Sequence, residues 1–180
     1  MFPALRCPLL PAAALPRRWV PVAALRPAMS PAWWQWIAST DSLTARLIAA
    51  SPAPFRVCLV HQAIERPLAD EALALGESPA RVAWVREVAL MSGSRTWVSA
   101  RSVAPLTPAC RRVLRALGER SLGSWLFAQS DLERDPIEAL RPSTTGVWLR
   151  RSRFRHTGLQ LLVQERFDAA MAADLGLPPR

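Results

Sequence analysis

The sequence predicts a single α+β domain built on an antiparallel sheet. Two pairs of alternating apolar segments flank short turn signals, which is the pattern of β-hairpins. Short helical segments sit between these hairpins and do not alternate with single strands, so βαβ units are not expected. With 180 residues, 51% of them hydrophobic and eight of them Trp, the chain is long enough to enclose one core.

Residues 1–30 stand apart. They hold Pro3, Pro8, Pro11, Pro16, Pro21 and Pro27, with arginines and no acidic residue. The prolines interrupt the apolar centre that a secretory signal needs. The segment reads as a disordered Pro/Arg-rich extension, or as an upstream start with Met29 as the alternative first residue. The domain is expected over 31–168, followed by a tail over 169–180.

Trp33, Trp34, Trp36 and Ile37 mark a first short helix after Pro31, and Ser39 or Thr40 is placed to cap a second from Asp41 to about Ala50. Phe55 to Gln62 reads as a strand, and Pro67 to Leu75 as a helix stopped by Gly76. Arg81 to Met91 and Thr96 to Ala104 form a hairpin across Ser92-Gly93-Ser94-Arg95. Thr107 to Leu117 and Ser121 to Phe127 read as helices separated by Gly118. Gly146 to Arg155 and Leu159 to Phe167 make the second hairpin, turning at Thr157-Gly158. No repeat of fixed period is present.

The formal net charge is +9, and all 23 basic residues are Arg. The arginines are scattered, without helix-turn-helix or zinc-finger spacing, so a small multiply charged anion is a better expected partner than nucleic acid. Cys7, Cys58 and Cys110 are few and widely spaced, which suits a reducing cytoplasm and not a disulfide framework. His61 and His156 lack a second strong ligand at metal-binding spacing, so no metal is expected. No apolar run reaches the length of a membrane span.

The residues that invite chemistry are charges on apolar strand faces. Residues two apart share a face. Trp84, Arg86, Val88 and Leu90 therefore line up, as do Leu161, Val163, Glu165 and Phe167. Each row carries one ionisable group, and removing it from water costs several kcal/mol unless it is paired. Alternation leaves a structural salt bridge and a ligand site at even odds. In Leu149 to Arg155, the arginines at 151, 153 and 155 share one face while Arg150, Ser152 and Phe154 share the other. A row of guanidiniums suits carboxylates, although Arg155 fits a solvated face better. Arg101 shares a face with Trp97 and Val103 and is a further half-buried candidate.

These segments carry a family resemblance. Trp84-Val-Arg86-Glu-Val-Ala-Leu90, then Trp97 through Arg101 to Pro105, resembles the central hairpin of chorismate pyruvate-lyase, the ubiquinone-pathway enzyme. The likeness continues through Leu117-Gly118, Ser121-Leu122-Gly123-Ser124-Trp125-Leu126-Phe127 and Arg134-Asp135, then Trp148 to Arg153 and Leu161 to Glu165. It spans about Trp33 to Phe167, and the order and spacing of five segments make it specific.

The resemblance implies an antiparallel sheet with two helical flaps closed over a buried ligand site. It matches Arg86 to the arginine that takes a ring carboxylate and Glu165 to the glutamate that meets a ring hydroxyl. It matches Leu122, and Leu43 in place of the familiar Met, to main-chain ligand contacts. The implied reaction removes pyruvate from chorismate and leaves 4-hydroxybenzoate, the first committed step of ubiquinone synthesis, with no cofactor because aromatisation drives it. Arg153, with Arg101 or Arg151, is the expected holder of the enolpyruvyl carboxylate, and Glu165, if kept protonated, a donor to the ether oxygen. A cytoplasmic monomer is expected. The competing readings are a non-catalytic small-molecule-binding domain of the same fold and a chorismatase that makes 3-hydroxybenzoate.

Overall fold

The computed structural model describes residues 18–117, 122–140 and 147–178. Among the described residues eight strands form one sheet: β1 (Val20–Pro21), β2 (Phe55–Glu65), β3 (Ala83–Ser92), β4 (Arg95–Pro105), β5 (Glu133–Arg134), β6 (Glu138–Leu140), β7 (Leu149–His156) and β8 (Leu159–Phe167). The order across the sheet is β1-β6-β7-β8-β4-β3-β2, with β5 pairing on β7, and the pairings are antiparallel. The expected α+β class and both expected hairpins are present. Gly93 turns the first with φ 58° and Gly158 the second with φ 75°, a region that costs glycine little.

Register sets the rows that matter. Arg86 pairs with Ser102, Ser102 with Val163 and Val163 with Ser152. One row further along, Val88 pairs with Ala100, Ala100 with Glu165 and Glu165 with Arg150. A third row holds Leu90, Val98, Phe167 and the buried Trp148, and carries no charged side chain. Directly opposed residues point to the same side of a sheet, so these rows form one continuous face.

Helices α1 (Pro31–Ile37), α2 (Leu43–Ala50), α4 (Pro108–Leu117) and α5 (Leu122–Leu126) cover that face. Trp33 of α1 meets Phe167 edge-on, and Ala109 and Cys110 of α4 pack with Trp84, Phe154 and Leu161. The helix α3 (Ala69–Leu75) covers the opposite face, where Leu75 packs with Val85, Val103 and Leu162. A two-sided cover explains why alternation along β3 and β4 shows no polar face.

Several boundaries differ from expectation. The second helix starts at Leu43, because Ser42 and not Ser39 or Thr40 supplies the cap: its Oγ accepts from Ala45 N. The third starts at Ala69, where Glu71 reaches back to accept from Leu68 N at 2.8 Å. Part of the segment assigned to an extension is structured: Val20 and Pro21 pair with β6, a 3-10 helix spans Val22–Ala28, and Met29 is buried. Within the expected tail, α6 (Ala169–Asp174) buries Met171 and accepts the Trp97 indole N–H on Asp174. Residues 1–17, the break at Gly118, Ser121 and the strand start at Gly146 lie outside the described residues.

Candidate active site

Between the sheet and the α2–α5 cover lies a pocket with about 560 Å³ of space between its atoms, open solvent at the mouth included. Its floor is Val88, Leu90, Ala100 and Val163; its cover is Thr44 from α2 with Leu122, Gly123 and Leu126 from α5; Phe154 closes one side. Arg86 and Glu165 line the same space. They stand on strands separated by β4 and on adjacent rows, which places their Cα atoms about 12 Å apart from strand spacing and rise. An apolar slot with one cation and one acid at separate positions can align a flat, para-substituted ligand.

Each charge has its own support. Arg86 is only 3% exposed, and its Nη1 donates to Gln62 Oε1 at 2.9 Å. Burial lowers its pKa from the ordinary arginine value, an environment in which a ligand carboxylate offsets the loss of water. Glu165 accepts the Nε–H of Arg150 at 2.5 Å. Arg150 is 1% exposed and also donates from Nη1 to the main-chain oxygens of Trp36 and Ser39 and to Ser39 Oγ. Next to it, Arg134 lies over the Phe154 ring, with Nε on Ser152 Oγ at 3.1 Å and Nη1 on Ser39 O at 3.3 Å. Burial, then the charge of Arg150, pull its pKa down to about 10, against the opposing pull of Glu165 and Asp41.

Of the residues singled out in the sequence, the structure brings together Arg86, Leu122 and Glu165. Leu43 is buried in the first turn of α2, and its neighbour Thr44 reaches the cavity. Arg101 and Arg153 do not join them, which corrects the expected placement. Arg101 projects from the opposite face, held by Glu71 at 2.7 Å and Glu87 at 2.8 Å. Burial opposes its charge, but Glu71 and then Glu87 outweigh that and raise its pKa. Arg153 is on the same far face, bonded to Asp135 at 2.6 Å and to Ala74 O. Arg151 likewise meets Glu138 at 2.7 Å. These arginines bind the sheet to its own acids. The strand that carries Arg151 and Arg153 also held the useful signal: Arg150, which shares a face with Ser152 and Phe154. Gln62 and Arg134 carried no periodic signal.

Comparison of the sequence with a family model and with known proteins points the same way. Residues 17–172 match the family model described as chorismate lyase. A probable chorismate pyruvate-lyase of Chromohalobacter salexigens is 56% identical over 172 residues, covering 90% of this chain and 94% of that one. A probable chorismate pyruvate-lyase of Pseudomonas aeruginosa is 38% identical over 160 residues, covering 83% and 90%. The chorismate pyruvate-lyase of Salmonella gallinarum is 36% identical over 144 residues, covering 78% and 85%. With a family model matched over residues 17–172 and these relatives each covered over 85% or more of their own length, this chain belongs to the chorismate lyase family.

Proposed function

We propose that the protein removes pyruvate from chorismate to give 4-hydroxybenzoate. The observation that carries this reading is the apolar cavity with Arg86 and Glu165 at separate points along it. Chorismate has a ring carboxylate, a hydroxyl at ring position 4 and an enolpyruvyl ether at position 3. Arg86 takes the ring carboxylate in a charge-assisted hydrogen bond. Glu165 takes the hydroxyl across the ring.

Cleavage of the C3–O bond and loss of the hydrogen at position 4 leave an aromatic ring, and the enolpyruvyl methylene gains one hydrogen to become pyruvate. Atoms balance without water or an oxidant, and aromatisation supplies the driving force. The protein orients the ring and offers charge where the departing enolpyruvate becomes negative. Glu165, already receiving a hydrogen from Arg150, presents an oxygen that accepts the position 4 hydroxyl. That geometry favours orientation by Glu165 over proton donation to the ether. The product enters ubiquinone synthesis, and the protein acts as a cytoplasmic monomer.

Incubating the purified protein with chorismate, with pyruvate measured enzymatically and the aromatic product identified by chromatography, tests the reading. 4-Hydroxybenzoate and pyruvate in equal amounts are expected. 3-Hydroxybenzoate would indicate hydrolysis of the ether, and intact chorismate would indicate a binding domain. Arg86→Ala and Glu165→Ala are each expected to lower kcat/KM by about a hundredfold. Near-normal turnover in both would remove these residues from the site.

A further inference from the structure

The substrate reading above leaves its second carboxylate, the one on the enolpyruvyl group, without a partner. Arg101, Arg151 and Arg153 are held by acids on the far face of the sheet. The cavity itself presents Arg86, which the ring carboxylate occupies in that reading. The remaining described cations on this face are Arg150 and Arg134. Arg150 is committed to Glu165, Trp36, Ser39 and Ile37. Arg134 differs: its bonds go to a hydroxyl and a main-chain carbonyl, both neutral. Among the described residues no carboxylate lies within ion-pair distance of it. A guanidinium has five N–H donors, and two nitrogens of Arg134 are engaged.

The rows of the sheet say where a group at ring position 3 can go. The line from Arg86 to Glu165 runs across β4 toward β7. A substituent next to the Glu165 end leaves that line on one of two sides. On one side lie Leu90, Val98, Phe167 and Trp148, all buried, whose one polar side-chain group is the unpartnered Trp148 indole N–H. A carboxylate there would lose its water with a single neutral donor and no cation to offset its charge. On the other side lie Val163 and then Ser152, over which Arg134 is held, with Phe154 of the cavity wall beneath its guanidinium.

We propose that Arg134 is a substrate-binding residue that takes the enolpyruvyl carboxylate, a contact available to a dicarboxylate enol ether but not to the monocarboxylate product. The Arg134 charge then sits where negative charge grows on the departing enolpyruvate, and nothing holds the aromatic product by that contact once pyruvate is gone. Arg134 remains charged at neutral pH, since its lowered pKa is about 10.

The test compares two ligands on Arg134→Met and Arg134→Lys. Loss of one charge-assisted contact is expected to raise the KM for chorismate at least about tenfold in Arg134→Met, with partial recovery in Arg134→Lys. The Kd for 4-hydroxybenzoate, read by fluorescence titration, stays within about twofold, since that ligand lacks the second carboxylate. Unchanged KM for chorismate would overturn the proposal. So would parallel weakening of both ligands, because Arg134 would then serve only to support Ser39 and the Glu165 end of the cavity. Absence of pyruvate from the wild-type reaction would instead overturn the lyase reading. Titration of unreacted chorismate against wild type and Arg134→Met would then still decide the Arg134 contact.

Discussion

Arg150 joins Glu165 to the end of α1 and the turn that follows it: its Nε–H reaches the Glu165 carboxylate while its Nη1 reaches Trp36 O and Ser39 O. The acid at one end of the cavity and the turn leading toward α2 therefore rest on the same guanidinium. Replacing Arg150 by Met would leave a half-buried carboxylate without its counter-charge, at a cost of about 3 kcal/mol in unfolding free energy. Arg150→Lys restores the charge but not the fork, so it should recover only part of that stability. Urea unfolding measures the cost, and kcat/KM for the folded fraction reports the loss of Glu165 positioning. Stability near that of the wild type in Arg150→Met would show that the network contributes little.

The far face calls for the opposite outcome. Glu71 is 0% exposed and bonds Arg101 Nε, Gln164 Nε2 and Leu68 N. Truncating one partner of such a buried pair strands the other, so Arg101→Met and Glu71→Ala should each lose about 3 kcal/mol of stability. The kcat and KM of the folded protein should change little, because the cluster is across the sheet from the cavity. A selective rise in the KM for chorismate with Arg101→Met, at unchanged stability, would return Arg101 to the site.

Alternation along β3 and β8 singled out Arg86 and Glu165 as charges on apolar rows but left a salt bridge and a ligand site equally open; the register across β4 is what brings both to one cavity. Alternation could not say which face of β4 continues the face of β3, and that choice moved Arg101. The register shift between Leu90 and Met91, and a sheet covered on both sides, hide the answer from any single strand. The partners that fix Arg101, Arg151 and Arg153 are Glu71, Glu138 and Asp135, distant or unpatterned in sequence. β1 and β5 are two residues each and β6 three, too short for a period to show. Arg134 belongs to one of these and was legible only as part of a family-like Arg-Asp pair.

Asp168 predicts a pH dependence of stability. Burial raises its pKa, against the lowering influence of Arg166 and of the hydrogen bond from Ser99. A carboxyl whose folded pKa lies above its unfolded value binds its proton more tightly in the native state. Its contribution to stability is therefore present at low pH and is lost as pH rises through the raised folded pKa. Asp168→Asn removes this titration. The stability of Asp168→Asn relative to wild type should rise from acid pH to neutral pH, beginning in the usual carboxylate range. Urea unfolding of both proteins across that range checks it, and a flat difference would mean that Asp168 titrates alike in both states.

Ser42 caps the helix that covers the cavity. Its Oγ caps α2 through Ala45 N, and Thr44 in the first turn of that helix covers the cavity. Removing such a cap costs about 1 kcal/mol. A ligand held under a helix that must move aside leaves at the rate of that movement, and the lost energy falls on the closed form. Ser42→Ala should then weaken 4-hydroxybenzoate about fivefold, since 1.4 kcal/mol corresponds to tenfold, mostly through faster dissociation. Product inhibition of the steady-state rate should decline with it. Stopped-flow displacement of bound 4-hydroxybenzoate measures the rate directly. An unchanged rate in Ser42→Ala, with the expected loss of unfolding stability, would show that α2 does not gate release.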